Sequence, residues 1–348
     1  MAKSRLIGLD IGTSMVRAAE LERNGRSGRM TLVKYAERAL PPGAVVDAAV
    51  VAESTVTDAI KEMWKEAKFS SKDVVMGVGS SRTAVREVEL PLLPMDELRQ
   101  SLPYQVQDML PMPVDEALLD FVPGTTVAGE VGTQVRGLLV AATKAGVNAN
   151  VDAAEKAGLR PTVVDLNALV LLRAARGVDP STKIVGCVDI GGGMTTVTVT
   201  ERGVPRVVRV IPTGGQDVTN AIAKRLKIPV SEAEALKRRP ASEHAAVPGG
   251  EMVKEAIDEV ISTLVDAVRN TFVYYQSSNP GTAIEMVVLT GGGALLTGFA
   301  QTLANRSRLS VTFGNPLDGI TVDPKAEGRI TAPVAMAVVV GLAQEVAA

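Results

Sequence analysis

Residues 188–196 read VDIGGGMTT, and residues 9–17 read LDIGTSMVR. Each closes an apolar run on an aspartate, turns on glycine, and enters a second run that alternates in character. The longer stretches LDIGTSMVRAAELERNG and VDIGGGMTTVTVTERG keep one rhythm of strand, turn and strand, which predicts an internal duplication and two like domains facing one another. Phosphate oxygens need several converging N–H groups at short range; a Cβ obstructs that approach, and glycine removes it while permitting φ > 0. Asp10, Gly12, Thr13 and Ser14 supply these parts in one stretch; Asp189, Gly191, Gly192, Gly193 and Thr195 supply them in the other. Two aspartates ending two facing hairpins can together hold a hydrated Mg²⁺, which keeps its waters and neutralises phosphate charge.

A third cluster, LTGGGALLTG at 289–298, ends an apolar strand and opens a helix, a geometry that sets backbone against a flat base or its sugar. Taken singly, a D-I-G hairpin is most often a tight turn, and a lone G-G-G says little more. Their order along the chain carries the argument. The sequence has no G-x-x-x-x-G-K-[ST] loop and no G-x-G-x-x-G opening a helix with an acid downstream. With one histidine, no H-E-x-x-H, no paired cysteines and no G-x-S-x-G, zinc chemistry and hydrolase triads lack their material.

The rest of the chain frames these motifs. At 348 residues about two domains are expected, and an apolar content of 46% with a net charge of −2 describes a globular protein without a basic field for nucleic acid. The N-terminal apolar stretch is short and contains Asp10, unlike a signal peptide, and no window supplies the roughly 20 apolar residues of a spanning helix. A cytosolic protein is expected, with Cys187 in IVGCVDI as a buried core thiol and the C-terminal APVAMAVVVGLAQEVAA as a buried helix. Val56, Ile60, Met63, Trp64 and Ala67 predict a helix over 53–67, and Val253, Ile257, Val260, Ile261, Leu264, Val268 and Phe272 form the core stripe of a longer one. Pro103 should kink or split the helical stretch MDELRQSLPYQVQDML, inside a block at 80–145 that reads as an inserted subdomain. Ser231 reads as an N-cap with Glu234 in the first turn, Gly158 as a C-cap, and His244, in RPASEHAAVPGG, as an exposed loop residue.

In order along the chain, GLDIGTSMVR, VVDLNALVLL, CVDIGGGMTT, LTGGGALLTG and APVAMAVVVGLA resemble the five motifs of the actin, sugar-kinase and DnaK-type ATPase superfamily. Within it, SSRTAVREVELPLLPMDEL, YQVQDMLPMPVDEALLDF, GLLVAATKAGV, AGLRPTVVDLNALVLLRA and SEAEALKRR resemble the PilM family, the FtsA-like proteins of type IV pilus assembly. The resemblance implies an α/β fold of duplicated actin-like, ribonuclease H-like domains around a nucleotide cleft. The first domain would comprise 1–79, 146–180 and 331–348, the FtsA-type insertion 80–145, the second domain 181–216 and 283–330, and a helical subdomain 217–282. It implies ATP with Mg²⁺ in the cleft. Asp10 and Asp189 would organise the metal. Gly12, Thr13, Ser14, Arg17, Gly191, Gly192, Gly193 and Thr195 would contact phosphates. Glu234 and Lys237 would flank ribose and base, and Gly291, Gly292 and Gly293 would face the adenosine. As an ordinary helix pair, Glu234 and Lys237 would contribute only about 0.2 to 0.5 kcal/mol.

The resemblance further implies docking of the N-terminal cytoplasmic peptide of PilN, an inner-membrane protein, between the first domain and the insertion. Tyr104, Met109, Leu110 and Met112 are the candidate groove residues, and as plain apolar residues they would pack the insertion. Such docking would place the chain at the inner face of the cytoplasmic membrane without anchoring it there. Two departures argue for slow or absent hydrolysis. Asn167 stands where relatives carry Glu or Gln to orient water, and Arg17 stands where Lys is commoner. The competing readings are a small-molecule kinase of the same superfamily, for which 80–145 offers no evident substrate site, and a filament-forming cytoskeletal protein, which differs only in its surfaces.

Overall fold

Three strands open the chain as an antiparallel meander: β1 (Ser4–Ile11), β2 (Met15–Arg23) and β3 (Met30–Ala39). The computed structural model describes residues 4–25, 27–128, 132–174, 182–244 and 248–344. After a small hairpin, β4 (Val45–Val46) and β5 (Ala49–Val50), helix α1 (Glu53–Ala67) buries Val56, Ile60 and Met63 against the meander, and β6 (Asp73–Val78) enters parallel to β1. The chain then leaves for the insertion: β7 (Ala84–Pro91), α2 (Met95–Gln105), β8 (Ala117–Ala128) and β9 (Thr133–Thr143), a three-stranded sheet ordered β7-β9-β8 over its own core of Leu98, Leu102, Phe121 and Leu139. It returns through α3 (Lys144–Lys156), β10 (Arg160–Leu166) and α4 (Asn167–Ala174), with β10 parallel to β6 and Gly158 at φ +84° between helix and strand. Helix α2 continues two residues past Pro103 to Gln105, and beyond Val106 the stretch resumes only as a 3₁₀ turn at Gln107–Met109.

The second half repeats the plan. β11 (Ile184–Ile190), β12 (Thr195–Glu201) and β13 (Val204–Ile211) form the second meander, followed by α5 (Gly215–Leu226), α6 (Val230–Lys237), the short α7 (Ala241–His244) and the long α8 (Gly250–Ser278). β14 (Met286–Thr290) joins parallel to β11, and α9 (Phe299–Ser307) leads to β15 (Ser310–Phe313), parallel to β14. The order β13-β12-β11-β14-β15 therefore matches β3-β2-β1-β6-β10, strand for strand and direction for direction. This is the duplication expected from the two D-I-G stretches. The chain then crosses back: β16 (Ile320–Val322) pairs with the free edge of β3, and α10 (Pro324–Glu327) and α11 (Ala337–Ala343) pack on the first half. Residues 320–322 thus stand with the first sheet, not in the 283–330 block expected of the second domain. The boundary expected at 180/181 lies outside the described residues.

Helix α11 packs closely on the first half. A Cβ on Gly8 would meet the Val339 carbonyl oxygen at 2.4 Å, and one on Gly341 would meet that of Val170 at 2.5 Å, so two small residues let the helix lie directly on β1 and α4. Cys187 is buried, and burial pushes its thiol up to about 12, as a core thiol requires. No helix among the described residues is long and apolar enough to cross a membrane. Three local expectations differ. His244 is buried in α7, where its Nε2 lies 3.1 Å from the Leu236 carbonyl oxygen, because the loop folds back under α8. The residue preceding α6 is Pro229 rather than Ser231, since proline's fixed φ starts the helix earlier; Glu234 accordingly falls beyond the first turn.

Candidate functional site

The two D-I-G turns are built alike. The Gly12 amide donates to the Met15 carbonyl at 2.9 Å, and the Gly191 amide donates to that of Met194 at 2.8 Å. The turns face each other so closely that a Cβ on Gly192 would lie 2.9 Å from Ser14 Oγ, and one on Gly193 would lie 2.7 Å from Thr13 Oγ1. Around this meeting point opens a cavity of about 540 Å³, inside the range of small-molecule and cofactor sites. Asp10, Gly12, Thr13, Ser14, Arg17, Asn167, Asp189, Gly191, Gly192, Gly193, Glu234, Lys237, Gly291, Gly292 and Gly293 all line it. One expected member does not. Thr195 is completely buried, its hydroxyl donates to the Thr213 carbonyl at 2.8 Å, and the residue at the cavity is its neighbour Thr196. Strand alternation explains the exchange, because successive side chains of β12 point to opposite faces.

The two aspartates are electrostatically exposed to each other and shielded from water. Burial raises the Asp10 carboxyl above its ordinary range, and the Arg17 guanidinium, 4.0 Å away, only partly offsets this. Burial likewise pushes Asp189 up to about 6; a 2.7 Å hydrogen bond from Thr290 Oγ1 lowers it and the charge on Asp10 raises it. Two desolvated carboxylates without a full counter-charge suit a cation. Among the described residues no third acid, histidine or cysteine joins them, which fits Mg²⁺ held by one or two carboxylates, water and phosphate rather than an all-protein cage.

Helix α5 begins on the second turn. The amides of Gly215 and Gln216 donate to the carbonyls of Gly191 and Gly192 at 3.0 and 2.6 Å, and Asp217 Oδ2 accepts from the Gly214 amide at 2.8 Å. Glu234 and Lys237 lock α6 onto this helix. Lys237 Nζ lies 2.6 Å from Glu234 Oε2 and donates to the Gly215 carbonyl at 3.0 Å and to Thr219 Oγ1 at 2.9 Å. Burial alone would raise Glu234, but hydrogen bonds from Lys237, Thr219 and Arg238 outweigh it and hold the carboxyl at about 2. The pair is therefore a tertiary clamp on the cavity wall, not a solvated helix pair.

The third glycine cluster splits in two. Gly291 has φ +84°, and a Cβ there would meet the Ile190 carbonyl oxygen at 2.4 Å; a Cβ on Gly293 would meet Ile190 Cγ2 at 2.3 Å. A Cβ on Gly292 would meet nothing nearer than Ala335 Cβ at 3.9 Å, and the residue lines the cavity. A 3₁₀ turn over Gly292–Leu295 precedes α9, and Leu295, 58% exposed, presents an apolar surface at the cavity that Arg238 and Pro240 also line. Asn167, the first residue of α4, turns its Oδ1 toward Gly77, where a Cβ would come within 2.1 Å; the oxygen is buried without a hydrogen-bond partner.

Sequence reasoning missed Glu37 and Thr331, which join Arg17 at the cavity from β3 and from the segment before α11. Neither carries a motif; the register of β2 with β3 reveals Glu37, and the hydrogen bond from Thr331 to Glu37 reveals the other. The groove candidates lie elsewhere, on the insertion. Tyr104 is 82% exposed and Met109 is exposed, whereas Leu110 packs on the subdomain core and Met112 is partly buried.

Residues 8–346 match the family model of the type IV pilus assembly protein PilM. The chain belongs to the PilM family. A solved structure described as a PilM–PilN type IV pilus biogenesis complex matches with a TM-score of 0.84 at 27% identity, covering 97% of each chain. The cell division protein FtsA of Pseudomonas aeruginosa is 26% identical across 89% of this chain and 83% of its own length. The FtsA of Bacillus subtilis is 24% identical over 67% of this chain, which spans only 57% of that relative. EutJ of Carboxydothermus hydrogenoformans (TM-score 0.56, 18% identity) and the ADP-bound MreB5 of Spiroplasma citri (0.55, 14%) share the actin-like fold with PilM family members.

Proposed function

We propose that this PilM family member is an ATP-binding adaptor of pilus assembly, whose nucleotide state governs its grip on the N-terminal cytoplasmic peptide of a PilN-like inner-membrane partner. One observation carries the nucleotide half: two glycine turns meet tip to tip over a cavity of about 540 Å³ with Asp10 and Asp189 in its wall. Gly12, Thr13, Ser14, Gly191, Gly192 and Gly193 would hold phosphates, with Arg17 as the fixed cation beside them. The two aspartates would hold Mg²⁺, which when bound screens the phosphate charge. Glu234, Lys237 and Gly292 would border the nucleoside. Asn167 is neutral, is turned against Gly77 and cannot take a proton from water, so the chain itself supplies no general base at that position. The nucleotide then acts as a ligand that joins the halves.

The peptide half rests on the likeness to the PilM–PilN complex and on apolar surface at the insertion, where Tyr104 and Met109 stand exposed. An extended peptide with alternating apolar anchors suits such a surface. The partner would hold the chain at the inner face of the membrane. Calorimetric titration of the purified chain with the PilN N-terminal peptide, with and without Mg·ATP, tests both halves. Saturable binding whose affinity changes with nucleotide is expected. Absence of binding at high micromolar peptide would overturn the adaptor reading.

A further inference from the structure

The first half of the duplication carries a row of charges that the second half lacks. In the first sheet Asp10 lies directly across from Arg17, and Arg17 directly across from Glu37. The equivalent row in the second sheet is Asp189, Thr196 and Val210. Both meanders and both turns form all the same, so the fold does not require the arginine or the glutamate. Their placement is accordingly a property of the cavity, which Asp10, Arg17 and Glu37 all line.

Glu37 is fixed from two further sides. Tyr35 Oη donates to its Oε2 at 2.7 Å, and Thr331 Oγ1 donates to its Oε1 at 2.8 Å. Arg17 Nε donates to the same Oε2 at 3.2 Å, while its Nη1 stands 4.0 Å from Asp10 Oδ2, beyond hydrogen-bond reach. A guanidinium between two carboxylates settles on the one held in place. Were it released, its fork would close on Asp10 as a charge-assisted pair and fill that carboxylate with a tethered cation.

Building on the nucleotide reading, we propose that Glu37 is a positioning residue: it draws Arg17 to itself and so keeps the Asp10 carboxylate open to a divalent cation. The test is a Mg²⁺ titration of the full chain at saturating fluorescent ATP analogue, alongside direct Mn²⁺ binding followed by electron paramagnetic resonance. Glu37→Gln should raise the half-saturating cation concentration about tenfold, an interaction of the size expected between neighbouring charges. Arg17→Gln added to Glu37→Gln should bring it back to within about twofold of the Arg17→Gln value, because the tethered competitor is gone. Glu37→Asp, which keeps the charge, should retain most of the wild-type cation affinity. A merely structural glutamate predicts no such rescue. An unshifted cation midpoint in Glu37→Gln, or a shift that persists in the double variant, overturns the inference. A wild-type chain that holds no nucleotide at any cation concentration overturns the underlying reading instead.

Discussion

Asp189 reaches a carboxyl pKa of about 6 because burial outweighs the hydrogen bond from Thr290. The sign of its effect on stability follows. Between about 4 and 6 the folded chain binds more protons than the unfolded one, so stability falls as pH rises through that window, and the penalty is complete above about 6. Asp189→Asn keeps an acceptor for Thr290 and removes the buried charge. Its unfolding midpoint in urea should therefore exceed that of the unliganded wild type at pH 7.5, by up to about 3 kcal/mol, and the difference should vanish near pH 4. The same variant should lose Mg²⁺-dependent nucleotide retention. Glu234 has the opposite sign: held at about 2, it contributes stability fully above about 4.5 and loses it as pH falls toward 2. At this scale the sequence was legible where a residue type has one chemical use, as with the paired aspartates. It misled at Thr195 and was silent at Glu37, because strand facing and register, not residue type, decide which hydroxyl or carboxylate meets the cavity.

Among the elements, the Gly291, Gly292 and Gly293 turn shows how one motif serves two purposes, packing and lining the cavity. Gly291→Ala forces a Cβ onto the Ile190 carbonyl at a positive φ and should destabilise the fold by about 1 to 3 kcal/mol, seen as a lower unfolding midpoint. Gly292→Ala meets only Ala335 Cβ, at an ordinary van der Waals distance of 3.9 Å, and should leave stability within about 0.5 kcal/mol. Its effect should fall on nucleotide affinity, because the added methyl projects into the cavity. Equal loss of stability in the two variants would refute this division of labour. The helix pair α5 and α6 follows the same logic. Lys237→Met removes the donor to Gly215 and Thr219 and leaves Glu234 partly unpaired, so both the wall and the stability should suffer, by about 1 to 3 kcal/mol in a urea titration. Sequence spacing placed Glu234 and Lys237 on one helix face; what they clamp became visible only when α6 was laid on α5.

At the scale of the molecule, the insertion is tied to the second half as well as to the first. β7, the edge strand of the small sheet, lies against β13, the edge of the second sheet, and Arg206 on β13 bridges Glu87 on β7 at 3.0 Å and Glu201 at 3.1 Å. β13 also lines the cavity through Val208 and Val210. An ion pair at this exposure contributes about 0 to 1 kcal/mol, so Arg206→Ala should barely move the unfolding midpoint. It should speed amide hydrogen exchange in residues 84–91, and unchanged exchange there would show that the edges hold without it.

The order of the glycine-rich motifs, the duplication and the buried C-terminal helix were set by local sequence, since periodicity, turn chemistry and apolar content act within a few residues of one another. Strand order, the return of β16 to the first sheet, the burial of His244 and the Asp10–Arg17–Glu37 row were decided by tertiary structure alone. Each depends on segments far apart in the chain coming into register, and no local composition encodes that meeting.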